Sequence, residues 1–325
     1  MKAIVYRSHG AASEVLKLEE LAMPEPQPGE VLVRVRISGV NPTDWKARSG
    51  KAGAAIDRPF QVPNQDGAGE ITSVGAGVDK TRIGQRVWIY NAAWRRSFGT
   101  GAQYCCVPSE QAVPLPDGVS FEVGASLGIP AMTAHRALFA DGPLLGRTVL
   151  VTGGAGAVSH YAIALARWAG ARVLSTASSP EKMALARRAG AHHVFNYRTA
   201  SVVDEIRAVA PTGVERIVEL APAANAKLNR AILAENGTLA IYASDAPEWS
   251  APIRELMFAN TTLRFILVYL MPDEAKRAAV ADINAALSLG ALPSLDFHRF
   301  RLEEMAKAHD AVERGAVGKV LVTVD

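Results

Sequence analysis

The residues of this chain whose types and spacing point most directly to chemistry are Gly153-Gly154-Ala155-Gly156-Ala157-Val158. Gly154 and Gly156 fill the first two glycine places of G-x-G-x-x-G, and Ser159 stands at the third. A turn with so little side chain lets the backbone approach a pyrophosphate, which then rests on the free N–H groups and positive dipole end of the following helix. The third glycine ordinarily permits close helix–strand packing, so serine there implies a slightly looser contact or a compensating hydrogen bond. Two glycines in a turn are common, and the flanking context decides. Thr148–Val151 is a short, apolar, β-branched run that reads as a buried strand. From Val158 onward apolar residues recur at helical spacing, and a second strand follows at Arg172–Thr176. The stretch reads as a dinucleotide site.

Which dinucleotide follows from the end of that second strand. An NAD-preferring site places Asp or Glu there to hold the ribose 2′-OH. Here the sequence is Ala177-Ser178-Ser179-Pro180-Glu181-Lys182, with Ser179 and Pro180 placed as N-cap and first helical residue and Glu181 as a first-turn acid. Ser178 and Lys182 are candidates to meet a 2′-phosphate, as are Tyr197 and Arg198 after the third strand. The expectation is NADPH rather than NADH.

The elements that must position these residues fall into two regimes. Residues 1 to about 120 carry closely spaced short strands, among them Val31–Ile37, Gly67–Gly75 and Gly84–Tyr90, with Val15–Leu18 a further candidate. That rhythm indicates a compact, barrel-like β domain. After Pro116 the pattern changes to a helical stretch over 121–140, interrupted around Gly128-Ile129-Pro130. Strands near 148–152, 172–176, 193–197, 215–220, 237–243 and 262–269 then alternate with helices, giving a doubly wound parallel sheet. Two helices and a last strand, Lys319–Val324, close the chain. A lone terminal strand needs a partner, so it is expected to rejoin the first domain. The α/β fold is thus a Rossmann sheet (123–269) inserted in a β-rich domain (1–122 and 270–325), with the crevice between them the natural active site.

At 325 residues the chain is long enough for two domains, and its net charge of +3 gives no support to a nucleic-acid or membrane partner. Cys105 and Cys106 are adjacent and point to opposite faces of a strand, which argues against a disulfide between them and against a four-cysteine zinc lobe. The opening Met1–Arg7 lacks a long apolar signal core, and the best apolar run, Phe265 to Met271, is far too short to span a bilayer. A cytoplasmic protein is expected.

Several stretches together resemble one family: Ser38-Gly39-Val40-Asn41-Pro42-Thr43-Asp44, Gly128-Ile129-Pro130-Ala131-Met132-Thr133-Ala134-His135, the glycine turn, and the terminal Gly318-Lys319-Val320. In order and over essentially the whole chain they are similar to the zinc-free quinone oxidoreductase (zeta-crystallin-like) branch of the medium-chain dehydrogenase/reductase superfamily. The resemblance implies a GroES-like first domain and hydride transfer from NADPH to a quinone or an α,β-unsaturated carbonyl. The superfamily's catalytic zinc ligands fall on Asn41, Gln65 and near Ile129, an amide, an amide and a hydrocarbon, so no metal is expected. His192-His193 offers no substitute, reading as solvent-facing or a helix-end dipole partner. Without a metal to polarise an alcohol, an acceptor that is already electron-poor is the easier substrate.

The resemblance also implies residue roles. Thr133 lies against the nicotinamide, and Asn41 either donates an amide hydrogen bond at the reacting end or is a turn residue before Pro42. Asp44 orients a neighbour or caps the following helix. Ala243, Ser244, Leu267 and Lys319 join the glycine turn in holding the coenzyme, while Trp45 and Ile129 line the substrate site. Relatives carry tyrosines soon after the Asn-Pro motif, whereas this chain has Trp45 and no tyrosine between there and Tyr90. That departure argues against an enoyl-thioester reductase and leaves proton delivery to water or the coenzyme ribose. An apolar edge strand, Leu263–Leu270, is a liability when exposed, so a homodimer is expected. The competing reading is a non-catalytic NADPH-binding crystallin-like protein or a binder of single-stranded nucleic acid. The absence of a basic stripe with interleaved aromatics gives the nucleic-acid reading little support.

Overall fold

Strand formation in the first part of the chain follows from alternation and β-branching. In Val31-Leu32-Val33-Arg34-Val35-Arg36-Ile37 the valines are buried while Arg34 stays exposed. The computed structural model describes residues 1–53 and 55–324. These form two compact units, Met1–Ile129 with Ser294–Asp325, and Pro130–Pro293. The sequence reading ended the nucleotide domain at 269, and the second unit instead continues through the helix Asp273–Ser288 to Pro293.

In chain order the first unit contributes β1 (Lys2–Val5), β2 (Lys17–Glu20), β3 (Glu30–Val40), β4 (Asp66–Val74), β5 (Arg86–Ile89), β6 (Tyr104–Pro108) and β7 (Ala112–Pro114). The second contributes β8 (Thr148–Val151), β9 (Arg172–Ala177), β10 (His193–Asn196), β11 (Val214–Glu219), β12 (Leu233–Ile241) and β13 (Thr262–Phe265), and the chain then returns to the first with β14 (Phe297–Arg301) and β15 (Lys319–Thr323). The larger sheet of the first unit runs β14-β15-β3-β4-β5-β7, with β6 also on β3. The terminal strand β15 lies antiparallel to β3, Val320 opposite Val40 and Thr323 opposite Ile37, so it does rejoin the N-terminal strands. The core of this sheet is Val33, Val35, Ile71, Val87, Ile89 and Val322. Val15 ends a one-turn helix, Ala12–Val15, instead of opening a strand; strand pairing starts at Lys17, opposite Val5.

The second unit holds a six-stranded parallel sheet in the order β10-β9-β8-β11-β12-β13. Its central strands are buried on both faces, which is why they read as unbroken apolar runs. The order turns back at β8: β8 and β11 are paired neighbours, and the connections that leave them run in opposite directions along the sheet, the switch point of a doubly wound fold. At the far edge β13 ends at Phe265, and Val268–Leu270 form a 3-10 turn instead of continuing the strand. Phe265, Leu267 and Leu270 are exposed there, as are Ile253, Met257 and Phe258.

The helix expected to break at Gly128–Pro130 does not break. It runs from Phe121 to Phe139 with Pro130 inside. Proline removes one helical N–H, and the N–H of its neighbour Ile129 is directed to Asp66 Oδ1 at 2.8 Å. Cys105 and Cys106 are both buried on β6 with free thiols, and burial raises the Cys106 pKa to about 12.

His309, on the helix Met305–Glu313, is fully buried and donates from Nε2 to Asn64 Oδ1 at 3.0 Å. Burial first, and then the Arg48 guanidinium, depress its pKa to about 3. A histidine held neutral in the folded state lets the unfolded state bind the extra proton, so its contribution to stability is present above pH ~6.5 and lost as pH falls toward 3. Replacing it by His309→Gln should flatten that part of the curve. Urea midpoints at pH 7 and pH 4.5 should fall farther apart in the wild type than in the variant; equal separations would contradict this.

Candidate functional site

The glycine turn leaves β8 at the carboxyl edge of the parallel sheet. Gly153 takes φ 61°, a left-handed conformation in which a side chain is strained, and Leu220 fills the space where its Cβ would stand. A Cβ on Gly154 would run into Ser175 Oγ and Ala186, so this glycine is required by packing against β9 and the helix Pro180–Arg188. Gly156 differs: it is exposed, its φ is −78°, and a Cβ there would meet no protein atom nearer than 3.6 Å. No contact inside the protein demands glycine at 156, and the space beside it is open. Gly156 is also the N-cap of the helix Ala157–Trp168, with no side chain capping it and no acidic residue in the first turn. The free N–H groups and the dipole at that terminus suit a pyrophosphate. Ala155 lies on the same turn with Ala157 and Val158, all partly accessible.

Of the two outcomes expected at Ser159, the hydrogen bond is what forms. The side chain is fully buried, and Oγ donates to Thr152 O at 2.9 Å. Beside the turn, β9 and β10 end in register, Asn196 opposite Ala177, and the Tyr197 N–H bonds Ala177 O at 3.2 Å. Ser178 and Tyr197 therefore emerge side by side at the sheet's carboxyl edge. Ser179 accepts from the Lys182 N–H at 3.4 Å as the N-cap of the next helix, which starts Lys182 in its first turn. Arg198 is exposed, with its N–H on Asn196 Oδ1. No carboxylate stands at the end of β9. His192 accepts the Val173 N–H at the start of β9 and contacts the Arg167 guanidinium, so its ring is committed to this surface. Ala243 and Ser244 follow β12 at the same edge, Leu267 follows β13, and Thr133 is buried on the helix Phe121–Phe139. The residues of this unit fit a dinucleotide.

The first unit gathers Asn41, Ile129 and Lys319 around a residue that sequence reasoning passed over, Asp66. Its carboxylate is fully buried at the start of β4. Asp66 Oδ2 accepts Asn41 Nδ2 at 2.7 Å and Lys319 Nζ at 3.1 Å, and Oδ1 accepts the Ile129 N–H at 2.8 Å. Lys319 Nζ also donates to Asn41 Oδ1 at 2.6 Å. Lysine only donates and a carboxylate only accepts, so the two fix which end of the Asn41 amide faces which. Lys319, expected to reach the coenzyme, is 2% exposed and committed to this cluster. Asn41 precedes the helix Pro42–Ser49, and Asp44 Oδ2 accepts the Asn41 N–H at 2.7 Å. Asp44 thus both caps and orients. Trp45, one residue on, stacks with Lys51 Nζ 4.9 Å from its ring centroid. The signal that could have found Asp66 is glycine: a Cβ on Gly128 would collide with its carboxylate, and one on Gly39 would crowd its Cβ and Lys319.

This donor set does not fit zinc. Asn41, Gln65 and Ile129 present no thiolate or imidazole, and the Asp66 carboxylate is already neutralised by an ammonium. Among the described residues no group of three or more His, Cys, Asp or Glu is arranged to hold a metal ion.

Comparison with known proteins agrees with this architecture. Residues 27–117 match the alcohol dehydrogenase GroES-like domain family, and residues 157–285 match the family described as zinc-binding dehydrogenase. The quinone oxidoreductase of Lama guanicoe is 31% identical over 327 residues, covering 99% of this chain and 97% of the relative. Among solved structures, an NAD-dependent alcohol dehydrogenase superposes with a TM-score of 0.89 at 27% identity, with 100% of both chains covered. The mycobacterial protein Rv1454c, solved in complex with NADPH, superposes with a TM-score of 0.86 at 28% identity, covering 99% of this chain and 100% of that one.

Burial, reinforced by the charge of Asp66, raises the Asp44 pKa to about 7. A carboxyl whose folded pKa lies above its unfolded value contributes stability that is fully present below the unfolded pKa, near 3.9, and lost as pH rises through 7. Asp44→Asn, which keeps an acceptor for the Asn41 N–H, should therefore remove stability's decline between pH 4 and 7. Unfolding midpoints at pH 5 and pH 8 test this; a variant as pH-dependent as the wild type would refute it.

Proposed function

The chain belongs to the medium-chain dehydrogenase/reductase superfamily, in its quinone oxidoreductase branch, and from that premise we propose that it moves a hydride from NADPH to a quinone or an α,β-unsaturated carbonyl without a metal. It is an NADPH-dependent oxidoreductase. The observation that carries the coenzyme reading is Gly156, a glycine that no internal contact requires, at an uncapped helix N-terminus. The coenzyme, when bound, supplies the hydride. The turn Gly153–Val158 gives its pyrophosphate close approach to the N–H groups at the start of the helix Ala157–Trp168, and Ser178, Lys182 and Tyr197 meet its 2′-phosphate in a place without a competing carboxylate. Ala243, Ser244, Leu267 and Thr133 seat the nicotinamide.

On the acceptor side, Asn41 stabilises the oxygen on which negative charge develops. Its amide is oriented and polarised by Lys319 and Asp66. Trp45 and Ile129 supply apolar lining. The absence of a tyrosine after Asn41-Pro42 leaves water or the ribose as the proton source, which suits acceptors whose reduced forms are weakly basic oxyanions. The exposed row Phe265, Leu267 and Leu270 beside the free edge of β13 supports pairing with a second copy.

Purified protein should oxidise NADPH with 1,4-benzoquinone, phenanthrenequinone or a short enone. Tight NADPH binding without turnover on any of them would favour the non-catalytic reading. Lys182→Ala should raise the KM for NADPH about tenfold and leave that for NADH unchanged, as expected for loss of one charge-assisted phosphate contact; equal effects on both coenzymes would remove Lys182 from the site. Sedimentation at micromolar concentration should give twice the chain mass, and a monomeric mass would exclude the proposed pairing.

A further inference from the structure

At the carboxyl edge of the parallel sheet a set of hydrogen bonds joins the ends of β11 and β8, the helix Ala157–Trp168 and the residue that follows β12. Glu219, ending β11, is fully buried and receives Ala221 N–H at 2.6 Å, Asn225 Nδ2 at 2.9 Å and Asn229 Nδ2 at 2.7 Å. Thr152 Oγ1 lies 3.1 Å from Glu219 Oε1 and accepts the Leu220 N–H at 3.2 Å. The carbonyl of Thr152, which opens the glycine turn, accepts Ser159 Oγ at 2.9 Å. Ser159 Oγ is in turn 3.2 Å from Tyr242 Oη.

Proton counting settles the direction at Ser159. Ser159 has one hydroxyl proton and a carbonyl can only accept, so the serine gives its proton to Thr152 O and receives one from the phenol. Burial raises the Tyr242 pKa to about 12, which keeps that phenol a donor. Tyr242 immediately precedes Ala243 and Ser244, whereas Thr152 immediately precedes the glycine turn.

We propose that Ser159 and Tyr242 are a positioning pair that locks the pyrophosphate-binding turn to the end of β12, so that both ends of one coenzyme are seated in fixed mutual register. The proposal rests on the NADPH reading above. It gives the departure from the glycine fingerprint a purpose: the third place carries a hydroxyl because the hydroxyl reaches a neighbouring strand. Restoring the glycine should therefore weaken coenzyme binding.

Isothermal calorimetry on the full chain tests this with Ser159→Ala, Ser159→Gly, Tyr242→Phe and the double variant S159A/Y242F. Both changes keep the packing; phenylalanine deletes the Ser159–Tyr242 bond alone, and alanine deletes that bond together with the one from Ser159 Oγ to Thr152 O. Each single change should weaken NADPH about five- to tenfold, the weight of one buried hydrogen bond. The double variant should be no weaker than Ser159→Ala alone, because the tyrosine hydroxyl acts only through the serine. Affinity for adenosine 2′,5′-bisphosphate, which lacks the nicotinamide half, should stay unchanged. Multiplying losses, parallel loss of the adenosine fragment, or full NADPH affinity in either single variant would each overturn the pairing. Failure of the wild type to bind NADPH would bring down the functional reading itself, and this inference with it.

Discussion

A carboxylate sealed from water has to have its lone pairs answered by donors, or the folded state carries an uncompensated charge. Asp66 in the first unit and Glu219 in the second are two such groups, and much of the local sequence is arranged around each. Asp66 takes Asn41, Lys319 and the Ile129 N–H in the first unit. Glu219 takes two asparagines, a threonine hydroxyl and a backbone N–H in the second, with no cation among these partners. The constraint runs outward from there. Gly128 is glycine because the Asp66 carboxylate occupies the place of its Cβ, and the N–H that precedes Pro130 inside the helix is spent on the same carboxylate.

The two carboxylates differ in what they hold. Asp66 is paired with an ammonium, so its cluster presents Asn41 with a fixed orientation and a positive charge beside its amide. A side-chain ammonium cannot accept a substrate oxygen into a coordination shell as a Lewis-acidic metal does. What it can do is polarise an amide, and that is milder assistance, matched to acceptors that are electron-poor before they bind. Glu219 holds geometry: the loop after β11 lies against Thr152, and Leu220 fills the space under Gly153.

The coenzyme edge shows how a weak local motif becomes specific. Three glycines lie in the turn for three reasons: a left-handed backbone at Gly153, close packing at Gly154 and vacancy at Gly156. Only the last speaks of a ligand. The parallel direction of β8 through β12 brings Gly153–Val158, Ser178, Tyr197, Ala243 and Ser244 to one edge, since each follows the carboxyl end of a strand.

Much of this was legible in the chain itself. Strand positions in the parallel sheet, the return of Lys319–Thr323 to the first unit and the glycine turn all follow from periodicity and residue type, because buried parallel strands are continuous apolar runs and a turn against a helix terminus needs glycine. Local pattern failed where a distant side chain supplied what the local backbone lacked. Gly128-Ile129-Pro130 reads as a helix break until Asp66, far away in sequence, takes the Ile129 N–H. Lys319 reads as a residue that holds the coenzyme until Asp66 and Asn41 claim it. Ser159 reads as an imperfect glycine until Tyr242 arrives from another strand. Residue types and their spacing determined which elements form and in what order; hydrogen-bond partners separated by tens to hundreds of residues were decided by the fold, because nothing in a linear pattern records which buried donor will meet which buried acceptor.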